Sequence, residues 1–272
     1  MTMKWFLLVL VIKAETFSQR AFTTPSWNLR ERVKAFGSSV DENDATLTEV
    51  LKMIKDRENW APVVEKGRTR VWLHKKSKNR HACILAKGVL NADPELVYAL
   101  FADAKLAKSY NEFCEEIEDL ESSPRTKISW SATKKIGIFK ARDFVTLCHF
   151  RDLADGSRCV LNRAVDHPSR PPSRRYTRGE VVIAANIVRP YGTKKTHLTL
   201  LTQINPRGSI DTPLGAKIAN QLVKKSPLQF FESIEKAAQQ RGKDNNLRRQ
   251  QYSFLRRFSS SSSSSYDGRG PK

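Results

Sequence analysis

The sequence predicts an α+β domain in which a curved antiparallel sheet closes over a long C-terminal amphipathic helix. The run 196–204 alternates its side chains between two faces in the manner of a strand. A turn sequence, Asn205-Pro206-Arg207-Gly208, follows it, and Thr212-Pro213 then supplies a helix N-cap and a first-turn proline. From Leu214 to Ala238 apolar residues recur at spacings of three and four, although Ser226-Pro227 predicts a kink.

The chain upstream of this unit contains short helices between two groups of strands. A short amphipathic helix at 47–54 comes first, and Asp93-Pro94 caps the first of two short helices that follow the third strand. The second of these helices is expected to end near residue 110. The predicted strands span 60–64, 69–74, 81–89, 113–120, 126–131, 142–150, 157–164, 176–188 and 196–204. This arrangement is typical of the α+β class.

Length and composition are consistent with one folded domain at residues 45–240. With 272 residues and 39% hydrophobic side chains, the chain can bury a substantial core. The formal net charge of +20 favours contact with nucleic acid or with anionic lipid headgroups. The cysteines Cys83, Cys114, Cys148 and Cys159 form no Cys-x-x-Cys pair, so they indicate small buried hydrophobes rather than a metal site or a disulfide framework. The sequence predicts no cofactor.

Residues 1–44 form a signal-like or transit-like segment, expected to be disordered or cleaved. The apolar run Trp5–Ile12 is too short to span a bilayer but has the size of a signal-peptide core. An acid-poor stretch at 17–40 follows, and together they resemble the bipartite presequences that target secondary plastids. An ordinary signal peptide and an uncleaved, frayed N-terminus are the alternatives. The expected location is the endomembrane system or a secondary plastid, with the cytoplasm as the alternative.

Two clusters of arginine keep nucleic-acid binding open as an alternative. One is the loop containing Arg170, Arg174, Arg175 and Arg178, and the other lies in the basic, Ser-rich tail 241–272, where arginines alternate with aromatic residues. The run 259–265 marks that tail as low in complexity, and we expect it to be disordered. A solvated tail, or one attracted to acidic membranes, is favoured over specific nucleic-acid binding.

An ordered set of short motifs resembles the StAR-related lipid-transfer (START) domain family from about Trp60 to Ala238. The resemblance implies a helix-grip fold with a hydrophobic tunnel that holds one lipid or sterol between the sheet and the terminal helix. The motifs are Gly88-Val89, Asp93-Pro94, Tyr110-Asn111, Arg142-Asp143-Phe144-Val145, His167-Pro168, Thr196-His197-Leu198-Thr199 and Gln203-Ile204-Asn205-Pro206-Arg207-Gly208.

Arg142 occupies the position at which the resemblance implies a cationic side chain in the tunnel. A buried guanidinium needs an acceptor, which a ligand phosphate, carboxylate or hydroxyl could provide. A salt bridge with a neighbouring acid and an outward-facing arginine are the alternatives. The run 126–133 contains no acid to pair with Arg142. This departure from several relatives favours a phospholipid or another polar lipid over a sterol.

The resemblance implies a larger set of tunnel-lining residues. Asn186 interrupts an apolar run, so its side chain needs a backbone, water or ligand partner. Apolar residues at these spacings are also what an ordinary packed core requires. The predicted ligand-binding residues are Tyr110, Trp130, Arg142, Phe144, Asn186, Leu198, Leu200, Ile218 and Leu222.

The run 134–140 is predicted to dock on anionic membranes and to open the tunnel. Its apolar residues are flanked by lysines around a glycine, a pattern suited to shallow insertion between headgroups. Packing of the same residues on the terminal helix is the alternative. The residues concerned are Lys134, Lys135, Ile136, Ile138 and Phe139.

We predict a monomeric lipid carrier rather than an enzyme. The run Asp166-His167-Pro168-Ser169 contains three catalytic residue types, but neighbours in a proline-containing loop are expected to form a turn rather than a relay. The sequence contains no Gly-rich phosphate loop and no nucleophile elbow. A helix-grip enzyme acting on a hydrophobic substrate remains the alternative.

Overall fold

The computed structural model describes residues 39–75, 81–135, 140–208 and 226–261. Its helices are α1 (Ser39–Lys55), α2 (Pro94–Ala102), α3 (Ala107–Tyr110) and α4 (Ser226–Ser261), with 3-10 turns at Arg57–Asn59 and Ala104–Leu106. Its strands are β1 (Trp60–Lys66), β2 (Thr69–His74), β3 (Ile84–Leu90), β4 (Cys114–Ser122), β5 (Thr126–Thr133), β6 (Arg142–Asp152), β7 (Arg158–Ala164), β8 (Thr177–Arg178), β9 (Glu180–Pro190) and β10 (Thr196–Asn205).

One sheet contains all of these strands, in the order β1-β2-β3-β10-β9-β7-β6-β5-β4, with the short β8 parallel to the start of β6. Every other pairing is antiparallel. The predicted α+β helix-grip fold is confirmed, because the curved antiparallel sheet packs on a long C-terminal helix and α2 and α3 follow the third strand. As predicted, Asp93 caps α2, accepting a hydrogen bond from the Glu95 amide at 2.9 Å.

Two apolar layers cover the sheet. On the face that we call the inner face, Leu198 and Leu200 of β10 pack with Phe231 and Ile234 of α4 and with residues of α2. On the opposite, outer face, Leu201 packs with residues of α1. Because side chains alternate along a strand, each β10 residue lies on one of the two faces. The pairing register then shows on which face each residue of the neighbouring strands lies.

The strand predicted at 176–188 is divided at Gly179 into β8 and β9. A β-carbon at this position would lie 2.3 Å from the Phe144 ring, so the backbone approaches the ring more closely than any other residue type permits. The interruption lets β8 pair with β6 while β9 pairs with β7 and β10.

Two helices extend beyond residues 45 and 240, the predicted limits of the domain, which stay a prediction. Helix α1 begins at Ser39, and α4 continues to Ser261, well past the expected start of a disordered tail at residue 241. Residues 241–250 are mainly Arg, Lys, Gln, Asn and Leu, and the Arg, Lys, Gln and Leu among them have high helix propensity. These residues favour helix beyond the apolar stripe, whereas Gly242, Asp244 and Asn245 in the same stretch do not.

The four cysteines confirm the prediction of small buried hydrophobes, since each is a buried free thiol. Burial raises the pKa of the Cys148 thiol to about 11. No helix within the described ranges is sufficiently long and apolar to cross a bilayer.

Candidate functional site

The centre of the inner face contains polar side chains that keep part of their surface accessible. In β5 every residue is buried except Ser131, and in the first eight residues of β6 every residue is buried except Thr146. The neighbouring residues on both faces of these strands are buried. Ser131 and Thr146 are therefore the places where the inner face is accessible.

Ser131, Thr146, Asn162 and Asn186 form a diagonal row across β5, β6, β7 and β9, which we call the polar row. Thr146 pairs with the residue two before Ser131 and with the residue two after Asn162. Asn162 in turn pairs with the residue two before Asn186. Diagonal neighbours on one face lie about 7–8 Å apart, so one ligand can contact several members of the row.

The polar row has unused hydrogen-bonding capacity. Among the described residues, the side chains of Ser131, Thr146 and Asn186 have no hydrogen-bond partner. Asn162 makes one long contact, with its Nδ2 at 3.4 Å from the Val160 carbonyl two residues earlier. Half-buried hydroxyl and amide groups normally find partners, so a bound molecule or water has to supply them.

The cations on the inner face of the described strands are Lys66, Lys127, Arg142 and Arg158, and each is engaged. Lys66 of β1 lies 3.2 Å from Glu232 of α4, several strands away from the polar row. Lys127 is buried, donating to the Ala102 carbonyl at 2.7 Å and lying 3.3 Å from Asp119 Oδ1. The guanidinium of Arg158 bonds to Glu95 at 2.6 Å and stacks on the Tyr98 ring of α2. These contacts hold α2 against the sheet, and the contact of Lys127 with Asp119 links the side chains of β5 and β4.

Arg142 is only 1% exposed at the edge of the inner face. Its guanidinium donates to the Lys140 carbonyl at 2.6 Å and to the Pro206 carbonyl at 3.4 Å. Burial lowers the pKa of this group to about 10. The buried position excludes the outward-facing alternative, and the two carbonyls provide acceptors that the sequence could not identify.

Four further predicted lining residues lie on the inner face. Leu198 and Leu200 belong to the packed core with α4, and Tyr110 makes edge contacts with the Phe101 and Phe230 rings. Burial raises the pKa of the Tyr110 hydroxyl. Phe144 is buried against Gly179.

The predicted position of Trp130 is wrong, because this residue lies on the outer face. It pairs with Val145, donates from Nε1 to Asp143 Oδ2 at 3.0 Å and contacts the Tyr176 ring edge-on. The neighbouring Ser131 is the residue that faces inward. A difference of one residue along a strand exchanges the two faces.

The arginine-rich loop is bound to the outer face by ion pairs. Arg178 forms a two-pronged contact with Asp143 at 2.7 and 3.0 Å, Arg175 lies 2.9 Å from Glu116, and Arg170 pairs with Glu118. The guanidinium of Arg170 also lies over the Trp130 ring. Three of the four arginines that suggested a nucleic-acid surface therefore have acidic partners within the domain.

His167 is part of a turn, as predicted. The Arg170 amide donates to the His167 carbonyl at 3.1 Å and closes that turn. The imidazole lies 2.8 Å from both Ser169 Oγ and Glu121 Oε1, so it fastens the loop to β4. This contact lies on the outer face with the rest of the loop. Within the described parts of the chain, no group of three or more His, Cys, Asp or Glu side chains is arranged to hold a metal ion.

The structure describes the predicted site in part. Lys134 and Lys135 are exposed directly after β5. Ile136, Ile138, Phe139, Ile218 and Leu222 lie outside the described residues.

Sequence reasoning missed Ser131, Thr146 and Asn162. The signal that identified Asn186, a polar residue within an apolar strand, also marks Thr146 in β6 and Asn162 in β7. Extending that criterion to each strand would have found two of the three. Ser131 lies between Trp130 and Ala132 in a strand of alternating polarity, where its orientation depends on which face is the inner one.

A family model for the START domain matches residues 41–244. This match covers well over half of the 272 residues and agrees with the helix-grip architecture. The chain therefore belongs to the START domain family.

Individual proteins are more distant. START domain-containing protein 10 from mouse (Mus musculus) and from human (Homo sapiens) are each 23% identical over 181 residues, covering 65% of this chain and 57% of theirs. The chain thus matches little more than half the length of these relatives.

Solved structures show the same fold at low sequence identity. Human StAR-related lipid transfer protein 5 superposes with a TM-score of 0.68 and 19% identity, covering 75% of this chain and 98% of that one. The STAR-related lipid transfer protein of Xanthomonas axonopodis superposes with a TM-score of 0.57 and 18% identity, covering 66% and 99%.

Proposed function

We propose that this START domain holds a single lipid between the inner face of its sheet and its terminal helix, and transfers that lipid between membranes. Lipid binding or transfer is the general function that membership in the family supports. The observation that supports a site in this chain is the polar row, in which Ser131 and Thr146 stay accessible although the neighbouring residues of β5 and of the first part of β6 are buried.

A lipid can match both the apolar and the polar side chains of this face. Apolar residues such as Leu200 and Phe144 border the row, and an acyl chain can lie against them without loss of hydrogen bonds. The polar part of the lipid can supply the missing partners. Ligand sites of this kind are concave and mostly apolar, with a few polar groups that fix the orientation of the ligand.

The proposed activity is carriage without catalysis. The chain formed by Glu121, His167 and Ser169 combines residue types that hydrolases use, but it lies on the outer face, opposite the polar row. A lipid bound on the inner face would be separated from it by the sheet. We propose that the protein works as a monomer.

Docking is proposed to use the basic surface next to the end of β5. Lys134 and Lys135 are both exposed there, and the chain as a whole has a formal net charge of +20. Each lysine near an anionic bilayer contributes on the order of 1 kcal/mol to binding.

Native mass spectrometry of the full chain, purified and then incubated with vesicles of total lipid extract, tests the proposal. We expect one unmodified lipid per protein and transfer of a fluorescent lipid from donor to acceptor vesicles. Release of a chemically altered lipid would instead support an enzyme. A protein that acquires no lipid under these conditions would contradict lipid carriage.

A combined variant tests the docking surface. Lys134→Ala, Lys135→Ala and Phe139→Ala together are expected to slow transfer between anionic vesicles much more than they lower lipid occupancy. The matched control is Lys52→Ala with Lys55→Ala, which removes the same charge from exposed positions on α1. Equal losses of rate and occupancy would assign the segment to the ligand site, and an unchanged rate would remove it from the docking surface.

A further inference from the structure

We infer that the lipid is uncharged and carries several hydroxyl or amide groups, as a neutral glycolipid does. This inference rests on the proposed lipid-binding function and identifies the class of ligand. It depends on the chemistry of the polar row and on the state of the charged groups around it.

The side chains of the row can both donate and accept hydrogen bonds. A serine or threonine hydroxyl offers one donor and two acceptor positions, and an asparagine amide offers two of each. Ser131, Thr146, Asn162 and Asn186 present four such groups on four neighbouring strands. Ligand hydroxyl and amide groups can also both donate and accept, so they can form hydrogen bonds of either direction with each side chain of the row.

An anionic headgroup is disfavoured because each cation on the described inner face already has a partner within the protein, including Lys66, which pairs with Glu232 of α4. Phosphate and carboxylate groups are bound in proteins mainly by arginine and lysine. Arg142 is 1% exposed and bonded to backbone carbonyls, and Lys127 is buried against Asp119. Arg158 is held by Glu95 and the Tyr98 ring. A phosphate beside the row would bring an uncompensated charge into a largely buried site, which is costly.

A sterol also fits the row poorly. Its single hydroxyl group could partner one member, and the remaining side chains would face hydrocarbon without hydrogen bonds. Neighbours in the row lie about 7–8 Å apart on the diagonal, so a ligand contacts several members only if its polar groups are spread over more than one position. A sugar or a hydroxylated amide backbone has that distribution.

The test presents the full chain with vesicles that contain equal amounts of glucosylceramide, monogalactosyl diacylglycerol, phosphatidylcholine, phosphatidylglycerol and cholesterol. Native mass spectrometry of the re-isolated protein then identifies the bound lipid. We expect one or both of the uncharged glycolipids to dominate. Preferential binding of a phospholipid or of cholesterol overturns the inference and leaves lipid carriage intact, whereas binding of no lipid at all contradicts the proposed function itself.

Variants of the row provide the second measurement. Thr146→Val removes a hydroxyl at nearly constant volume, and Asn162→Leu and Asn186→Leu remove amides. Each is expected to lower the ratio of bound glycolipid to bound phospholipid roughly tenfold, the effect of losing about one hydrogen bond. The matched control is Thr199→Val, which removes a buried hydroxyl from the outer face. An unchanged ratio in all three row variants, with the thermal unfolding midpoint preserved, would overturn the inference.

Discussion

The two faces of the sheet differ in how their polar side chains are partnered. On the outer face the loop at 166–178 and helix α1 bring charged groups together in pairs, including Arg178 with Asp143 and Arg151 with Asp44. On the inner face the side chains of the polar row are uncharged and three of the four have no partner among the described residues. The outer face thus pairs most of its charged side chains within the protein, although His149 Nδ1 and Arg151 Nη1 are buried there without a partner among the described residues. The inner face pairs its charges as well but leaves the uncharged polar row for a ligand. Substitutions on the outer face should change stability, and substitutions in the polar row should change binding.

The largest expected effect is that of Asp143→Ala. Asp143 is 3% exposed and Arg178 is 13% exposed, and the same carboxylate also accepts from Trp130. Breaking a buried pair leaves one charge uncompensated, so the free energy of unfolding should fall by about 3–5 kcal/mol. Urea denaturation measures this loss, and the lipid that the folded variant binds should be unchanged.

Arg175→Ala is the control for that experiment. Arg175 is 67% exposed in its pair with Glu116, so its removal should cost at most about 1 kcal/mol. If both variants lost the same small amount, the outer face would not depend on its buried ion pair.

The variant Arg142→Leu tests whether this inner-face cation stabilises the fold or binds the ligand. Its removal leaves the Lys140 and Pro206 carbonyls without these donors, at a cost of about 1–3 kcal/mol for each one that stays buried. We expect lower stability in urea with the same lipid selectivity. Loss of lipid at unchanged stability would make Arg142 a ligand-binding residue.

Gly179→Ala should destabilise the domain by about 1–3 kcal/mol through overpacking, because the new methyl group would overlap the Phe144 ring. A double-mutant cycle with Phe144→Leu provides the control. In that background the additional loss should be smaller, since the obstructing ring is gone. Equal losses in both backgrounds would assign the effect to the backbone alone.

The smallest effect expected is a pH dependence of stability that originates on the outer face. Burial lowers the pKa of His149, with Arg151 and Arg125 acting in the same direction and Asp44 opposing them. Burial, with Arg189 and Lys87, also lowers the pKa of His197. Below the ordinary value of 6.5 the unfolded chain therefore binds more protons than the folded one. Stability should be at its full value above pH 6.5 and should fall as the pH is lowered through the folded pKa values.

Thermal unfolding at pH 7 and pH 5 measures this difference. The combined variant His149→Gln and His197→Gln should show a smaller decrease in midpoint on acidification than the wild type. A decrease of the same size in both proteins would place the relevant titration elsewhere.

The sequence predicted the strands and the helix cap because those features depend on local patterns. The alternation in β10 and the Asp93-Pro94 start of α2 are examples. The error at Trp130 has a different origin. In β5 the apolar residues Ile128, Trp130 and Ala132 alternate with polar ones, which suggests that the apolar side faces the tunnel.

A distant loop reverses that interpretation. The segment that contains Tyr176 and Arg170 covers the outer side of β5, so the apolar residues are buried there. Which face of a strand points toward a cavity depends on such coverage by residues remote in sequence, and alternation alone does not reveal it. The Pro206 carbonyl, one partner of Arg142, was inaccessible to sequence reasoning for the same reason, since it is far from Arg142 along the chain.

The position of β10 has a consequence for synthesis of the protein. This strand joins β3 to β9, so the two halves of the sheet, β1–β3 and β4–β9, share a continuous hydrogen-bonded ladder only through it. While the chain leaves the ribosome, β3 exposes one unpaired edge until residues 196–205 have emerged, more than a hundred residues later. Pairing across that sequence separation is slow, and an open apolar edge promotes aggregation. Nascent chains that stop before β10 should therefore depend on chaperones, and release of the last strand should commit the domain to its native state.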